Sequence, residues 1–509
     1  MAIFVGAALL RLALVETARF TGDEALDYAT GMDIAHGVRF PLLGPIITSG
    51  QARHPGPLTY WLAALPQFFT RAPEAGNVFF ELMGAAMVWM FWQALRRPFG
   101  DPAATFAAVL LACSPWSALF ADRVWNPHAF LVFEQLALLA ALKLRERPSS
   151  AWVAVLPIAC LALPQFHSSA PVVWLALVPI VWGNARHWNR RYLGLGFALA
   201  ALSYVPFVVN EVQTGFGDTR AFFAETFAPD KHTRPINLVL APLYVLRFLT
   251  LDVTYHELSG YWGGLDEAAA WHALWHGSAA RPFHPLRLVA LIVSAALLVL
   301  AAATTLRAAL ARRRSALPSA APGASNAPES LRPFAVAALV AVVADAGLLA
   351  LTGKQVFAHY LTPTLPFVFV LFAAGARAAF GDRWLRVAML GLGAIVCAGG
   401  IEATLTISRR IDGRNGLAVH RAVAARVLRD CAAAGRLPAA CSARLDFGFV
   451  GTTYTHAIFS RVALVAPIRW EATARNFMYR LQKSEDPPPL GSEVFEAVTI
   501  GPVSLYRLR

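Results

Sequence analysis

Residues 19–45 read RFTGDEALDYATGMDIAHGVRFPLLGP, and residues 52–69 read ARHPGPLTYWLAALPQFF. An apolar run, Ala2–Val15, precedes them and another, Val78–Leu95, follows. A stretch carrying Asp23, Glu24, Asp27 and Asp33 between two such runs is a hydrophilic loop next to a membrane. Asp23 and Glu24 open a helix-like segment, where carboxylates answer the positive end of the helix dipole. Thr21 or Asp23 is placed to cap that helix. The Pro/Gly turn Arg53–Pro57 then leads into Leu58–Phe69, an amphipathic aromatic helix expected to lie at the interface.

Working outward, the chain of 509 residues is 57% hydrophobic and only 15% charged, against about 25% charged in soluble proteins. A mean hydropathy of +0.51 makes the net charge of +13 a membrane-loop feature and excludes a soluble nucleic-acid binder. The abundance of Ala, Leu, Arg and Pro points to a GC-rich bacterium. Further apolar stretches run at Ala103–Phe120, Ala129–Leu142, Trp152–Leu163, Ala170–Trp182, Tyr192–Val209, Leu286–Leu306, Phe334–Leu351, Leu361–Phe380 and Trp384–Leu405. With the first two they make about eleven crossings of an all-α polytopic body. Arg11 inside the first stretch, with no small-residue cleavage site, marks a retained helix.

Basic residues cluster at Arg96–Arg97, at Lys143 to Arg147, at Arg186 to Arg191, at Arg307 to Arg314 and at Arg377 to Arg386. Assigned to the cytoplasm, these five loops alternate consistently with long outer loops at 16–77 and 210–285. The N-terminus is then cytoplasmic and the C-terminus outside. Leu317–Pro328, rich in Ala, Pro and Ser, is a cytoplasmic linker, and Leu238–Leu251 is a second interfacial helix. Residues 1–405 form the transmembrane domain. Residues 406–509 form a small periplasmic α/β domain, with strand-like runs at Val494–Ile500 and Val503–Leu508. Cys431 and Cys441 fall in that outer domain, where a bridge is permitted. No CxxC, HExxH, P-loop or GxGxxG context occurs. In the second outer loop His256, Glu257, His272 and His276 lack a metal-site motif and read as an interfacial aromatic segment.

The acidic pair, a spacer, a Pro-rich turn and then LTYWL resemble the first periplasmic loop of glycosyltransferase family 39, which holds the protein O-mannosyltransferases and the aminoarabinose transferases of lipid A. Residues 94–131, ALRRPFGDPAATFAAVLLACSPWSALFADRVWNPHAFL, are similar to its next cytoplasmic turn and helical hairpin. LALPQFHSSAPVVWLAL at 161–177 is similar to its short broken hairpin, and HYLTPTLPFVFVLFAAG at 359–375 to its late Tyr/Pro-marked helix. The likeness runs in order over residues 1–405. It implies a GT-C fold and transfer of a sugar, with inversion, from a polyprenyl phosphate to an acceptor on the outer face.

By that likeness Asp23 is the expected general base and Glu24 a neighbour that positions the loop or tunes it. Expected substrate-binding groups are Arg53, His54, Tyr60, Arg123, Asn126, Gln165, His167, Lys354, His359 and Tyr360. Lys354, His359 and Tyr360 would grip the donor phosphate. Two motifs depart from the lipid A type: RHPGP stands where Glu-Lys precedes two prolines, and Gln165-Phe166-His167-Ser168 where there is a Lys-Gly-Pro break. These changes leave the donor sugar and a bound divalent metal open. Two rivals are a transporter or flippase, which calls for paired repeats and mid-membrane charge, and a non-catalytic scaffold, in which the acidic pair is replaceable.

Overall fold

A computed structural model describes residues 1–18, 20, 22–47, 51–119, 123–226, 234–245, 277–278, 281–282, 285–315, 331–353, 358–410, 416–435, 442–447, 469–470, 478–483, 494–500 and 503–508. Each of the eleven apolar stretches is helical. The first loop lies between α1 (Ala2–Leu12) and α4 (Pro73–Phe99) and contains α2 (Gly22–Ala35) and α3 (Leu58–Ala64). The bundle continues through α5 (Asp101–Cys113), α6 (Pro115–Leu119), α7 (Asn126–Glu146), α8 (Trp152–Ala162), α9 (Ala170–Val181), α10 (Arg190–Ser203) and α11 (Val205–Thr214). After α12 (Gly217–Thr226) and α13 (Asn237–Val245), a two-residue hairpin pairs β1 (Gly277–Ser278) with β2 (Arg281–Pro282). Then come α14 (Pro285–Ser315), α15 (Arg332–Leu351), α16 (Leu365–Ala379) and α17 (Arg383–Arg410).

Among the described residues, five segments are long and apolar enough to span alone: Glu74–Phe99, Asn126–Glu146, Arg332–Leu351, Tyr360–Ala379 and Arg383–Leu405. α10 and α11 make a sixth span, bent by 50° at Tyr204, with Pro206 in the first turn of the second half. Shorter apolar helices accompany them, Ala2–Leu12, Asp101–Cys113 and Trp152–Gln165 among them, so this is a multi-pass membrane protein whose thinner parts rely on snorkelling flanks or local thinning. Ala103–Phe120, expected as one helix, is two: Pro115 has no N–H to continue the ladder, and the chain breaks at Ser114. Arg11, wholly buried, reaches into that break and donates to Ser117 O at 3.0 Å and Ser117 Oγ at 2.9 Å. It thereby supplies partners where the break interrupts the regular ladder.

The core of Ala, Leu, Val and Phe runs along α4, α5, α7, α8, α9, α15 and α16. α2 and α3 pack so closely that a Cβ on Gly31 would sit 2.7 Å from the Ala63 carbonyl carbon. α13 docks on α15 through Asn237 Nδ2 donating to Leu349 O at 2.9 Å.

The C-terminal part holds one described helix and five described strands. Its helix α18 (Leu417–Ala433) accompanies a five-stranded sheet of order β4-β3-β5-β7-β6. Here β3 is Ser442–Phe447, β4 Arg469–Trp470, β5 Met478–Lys483, β6 Val494–Ile500 and β7 Val503–Leu508. β6 and β7 coincide with the strand-like runs read from the sequence and form an antiparallel hairpin, Ile500 opposite Val503. β3 runs parallel to both β4 and β5. Cys431 is disulfide-bonded, while Cys441 lies outside the described residues. α18 sits on the first loop: Leu417 N donates to Ala18 O at 3.3 Å, and His420 Nε2 lies 2.9 Å from Phe20 O. Arg421 pairs with Glu16 and Glu74.

Candidate active site

The two acidic neighbours part company in the fold. Glu24, in the first turn of α2, is buried and faces the buried Arg123 guanidinium at 3.8 Å. Arg123 in turn lies over the Trp125 ring, 5.9 Å from its centroid. The Arg123 head is thus inside the protein. Asp23 is exposed at the start of α2. Asp23, Leu26, Asp27 and Thr30 follow the i, i+3, i+4, i+7 spacing of one helix face. Leu26 and Thr30 from that face, with Arg39, Arg53, Tyr60 and Asn210, line a cavity of about 380 Å³.

Asp27 was passed over as a site residue in the sequence. It is buried, and its Oδ2 has no hydrogen-bond partner. Burial, then the charges of Asp23 and Glu24, push its pKa well above the ordinary carboxylate value. Burial, reinforced by the Asp27 charge, also raises the Tyr60 phenol, against the opposing pull of Arg53 and Arg39.

Arg53 and His54 stand on a short antiparallel turn, with Ile46 bridged to Arg53 and His54 N donating to Pro45 O at 2.9 Å. Arg53 N donates to Asp218 Oδ1 at 2.9 Å, and Ala52 N to Glu225 Oε1 at 3.2 Å, so α12 braces this loop from outside. Burial raises the Asp218 pKa, opposed by the Arg53 N–H it accepts. Gly56 has φ +120°, and a Cβ there would lie 2.2 Å from Gln165 Oε1. Only glycine serves at that point of the turn. Arg53 lines the first cavity and also a second one of about 310 Å³, walled by His54, Pro164, Ser168, Trp174, Phe207 and Phe222 among others.

From His54 a line of polar groups descends between the helices. His54 Nδ1 is 3.2 Å from Pro164 O, and Asn126 Nδ2 is 3.5 Å from His54 Nε2. Asn126 also donates to Phe166 O at 2.6 Å. The His167 ring stacks beside His54 at 6.4 Å and tilts against Tyr360 at 5.5 Å; its Nδ1 meets Ser169 Oγ at 2.6 Å. Gln165 Nε2 donates to Ser203 Oγ at 2.7 Å, tying the broken hairpin to the bend after α10.

Thus the structure brings Arg53, His54, Asn126, Gln165, His167 and Tyr360 to one region, Tyr60 borders the first cavity, and Arg123 faces Glu24. Lys354 lies outside the described residues, as do the His359 side chain and the second loop's His256, Glu257, His272 and His276. Among the described residues no group of three or more His, Cys, Asp or Glu is placed to hold a metal ion. Besides Asp27, the sequence reading missed Glu134 and Asp345. Each is a lone carboxyl in an apolar helix, without local signal.

Residues 53–209 match the family described as dolichyl-phosphate-mannose-protein mannosyltransferase. A comparison with curated proteins finds no match. The fold is that of ArnT from Cupriavidus metallidurans, solved bound to undecaprenyl phosphate: TM-score 0.54 at 13% identity, over 99% of this chain and 97% of that one. The oligosaccharyltransferase of Archaeoglobus fulgidus, solved with Zn and sulfate, aligns at 15% identity over 92% of this chain and 62% of that one. Its TM-score of 0.46 carries no argument. The GT-C architecture implied by the sequence resemblance is therefore present.

Proposed function

We propose that the chain is a membrane glycosyltransferase that moves a sugar from a polyprenyl-phosphate donor to an acceptor hydroxyl at the outer face of a bacterial inner membrane, with inversion. The observation that carries this reading is the shared position of Arg53. It borders both the cavity beside the Asp23 face of α2 and a more apolar cavity between the loop and the bundle. A donor with a charged head and a hydrocarbon tail needs that junction of cationic and apolar walls. The family match over residues 53–209 supports the chemistry, and the undecaprenyl phosphate of ArnT supports the donor class.

In the proposed step the acceptor oxygen attacks the anomeric carbon while the bond from that carbon to the phosphate oxygen breaks. The electron pair leaves with the polyprenyl phosphate, beside Arg53 and His54. Asp23 takes the hydroxyl proton, because an alcohol is a weak nucleophile until its proton has a destination. Glu24 and Arg123 hold the first turn of α2 in place for this. Tyr60, Asn126, Gln165, His167 and Tyr360 shape the sugar side, and Lys354 and His359 are assigned to the phosphate. Losing either of those last two charged partners should weaken donor use by about 1.5–3 kcal/mol. A divalent metal has no group of ligands among the described residues, and no step here uses one.

The deciding experiment is sugar transfer by Asp23→Asn in membranes of matched abundance. We expect a fall of about 10²–10⁴ with normal insertion. Wild-type turnover would end the catalytic role and favour the scaffold reading. Orientation is tested by reporters, expected cytoplasmic near Ala321 and periplasmic after Thr452. A cytoplasmic C-terminal reporter would put Asp23 on the wrong side.

A further inference from the structure

Beside His167 and Tyr360, a small cavity is bordered by a carboxyl that the proposed transfer step leaves unused. Asp345 lies six residues before the end of α15, about 9 Å from it at the helical rise. It is 1% exposed, and neither carboxyl oxygen has a hydrogen-bond partner among the described residues. The cavity it borders measures about 70 Å³, and Leu348 and Phe222 add apolar walls. Ser168 and Phe222 line both this cavity and the larger one beside Arg53 and His54, so the two adjoin. Two polar neighbours in the same wall are engaged within the protein. His167 Nδ1 meets Ser169 Oγ at 2.6 Å, and the Thr352 hydroxyl donates to Leu348 O at 2.8 Å. The Asp345 carboxyl is not so engaged.

A buried carboxyl without a partner costs free energy, and inside a membrane bundle such a group is a candidate for ligand recognition. Whatever its protonation, it accepts hydrogen bonds, so the missing partner must bring a hydrogen. A phosphodiester anion brings none, which keeps the donor phosphate on the Arg53 side. At about 30 Å³ per water, the cavity admits roughly two water-sized groups and no sugar ring. A hydroxyl on one carbon matches that size, with the carbon against Leu348 and Phe222. We propose that Asp345 is a specificity-determining residue, whose carboxyl accepts the hydrogen of a primary hydroxyl on a hydroxymethyl branch of the transferred sugar. The ring itself stays in the larger, adjoining cavity. The inference rests on the transfer reading above. It goes beyond the family likeness, which takes in mannosyl and aminoarabinosyl transfer alike and assigns no residue to reading that branch. A sugar without the hydroxyl leaves the carboxyl buried and unpartnered, which is the source of the selectivity.

The test is equilibrium binding to the full chain in lipid nanodiscs. The probes are glucosyl, galactosyl and mannosyl polyprenyl phosphates, each beside its 6-deoxy form, which keeps the carbon and loses the hydroxyl. In the tightest-binding pair the hydroxyl form should bind at least about tenfold more tightly. Asp345→Leu, close to Asp in shape, cannot accept a hydrogen bond. It should bring that pair to within about twofold while leaving the 6-deoxy affinity no weaker. Because the hydroxyl is deleted on the ligand, wild-type protein alone is decisive even if the variant misfolds. Equal affinities within every pair overturn the subsite, as does a preference that survives in Asp345→Leu. Asp23→Asn should lose transfer yet keep the hydroxyl preference. Full turnover in Asp23→Asn with that preference intact would sink the general-base assignment and leave the subsite standing. No binding of any probe overturns both.

Discussion

Glu24 and Asp345 are equally removed from solvent, yet the protein treats them in opposite ways. Glu24 has a guanidinium built in front of it, and the pair sits where the chain enters the first helix of the outer loop. Asp345 has neither an ion pair nor a hydrogen bond among the described residues. The first arrangement is complete and fixes geometry. The second is incomplete, and incompleteness in a low-dielectric interior has a free-energy cost that stability alone would not retain. The contrast separates a carboxylate that holds the site together from carboxyls that await something.

Removing the charge should therefore have opposite signs at the two places. Glu24→Gln removes the carboxylate that faces the buried Arg123 cation, and stability in thermal unfolding should fall by about 3–5 kcal/mol. Adding Arg123→Met to that variant should recover most of the loss. A small effect of the single substitution would break the comparison. Arg53→Met should weaken donor binding by about 1.5–3 kcal/mol while leaving stability near wild type. Equal losses in both would make Arg53 a brace for the loop, through Gly44 and Tyr60, and nothing more.

Asp27 sharpens the contrast through pH. It keeps its proton in the folded protein above the pH near 3.8 at which an unfolded Asp releases it. Its contribution to stability is thus fully present below that pH and is lost as pH rises through the higher folded value. Unfolding midpoints measured from pH 4 upward should decline less steeply in Asp27→Asn than in wild type. Parallel slopes would remove Asp27 from the account. The smallest effect is expected for Glu134→Gln, which replaces a buried carboxyl without a hydrogen-bond partner by a near-isosteric amide and should leave stability within about 1 kcal/mol of wild type or raise it. A loss as large as that of Glu24→Gln would reveal a structural partner for Glu134.

The helices were legible because a membrane demands long apolar runs, and the β6–β7 hairpin because alternation marks strands. The broken hairpin around Gln165 and His167 was read from the likeness of residues 161–177 to the family's own. Asp27 was within reach, since it stands one helical turn after Asp23 and shares its face. The partner of Glu24 was not, because a separation of 99 positions leaves no periodicity linking Arg123 to it. The same holds for the burial of Glu134 and Asp345: neither stands in a motif, and only the packing of distant helices closes around each.

The contact between His420 and Phe20 joins residues 400 positions apart. At about 5–20 residues per second of synthesis, the stretch just before Asp23 is made roughly 20–80 seconds before the helix that covers it. During that interval the first loop lacks the helix that packs on it. A nascent chain is therefore expected to insert but to stay idle, and a chain halted before Leu417 would occupy the membrane without working. Completion of translation thus doubles as the switch that turns the loop on.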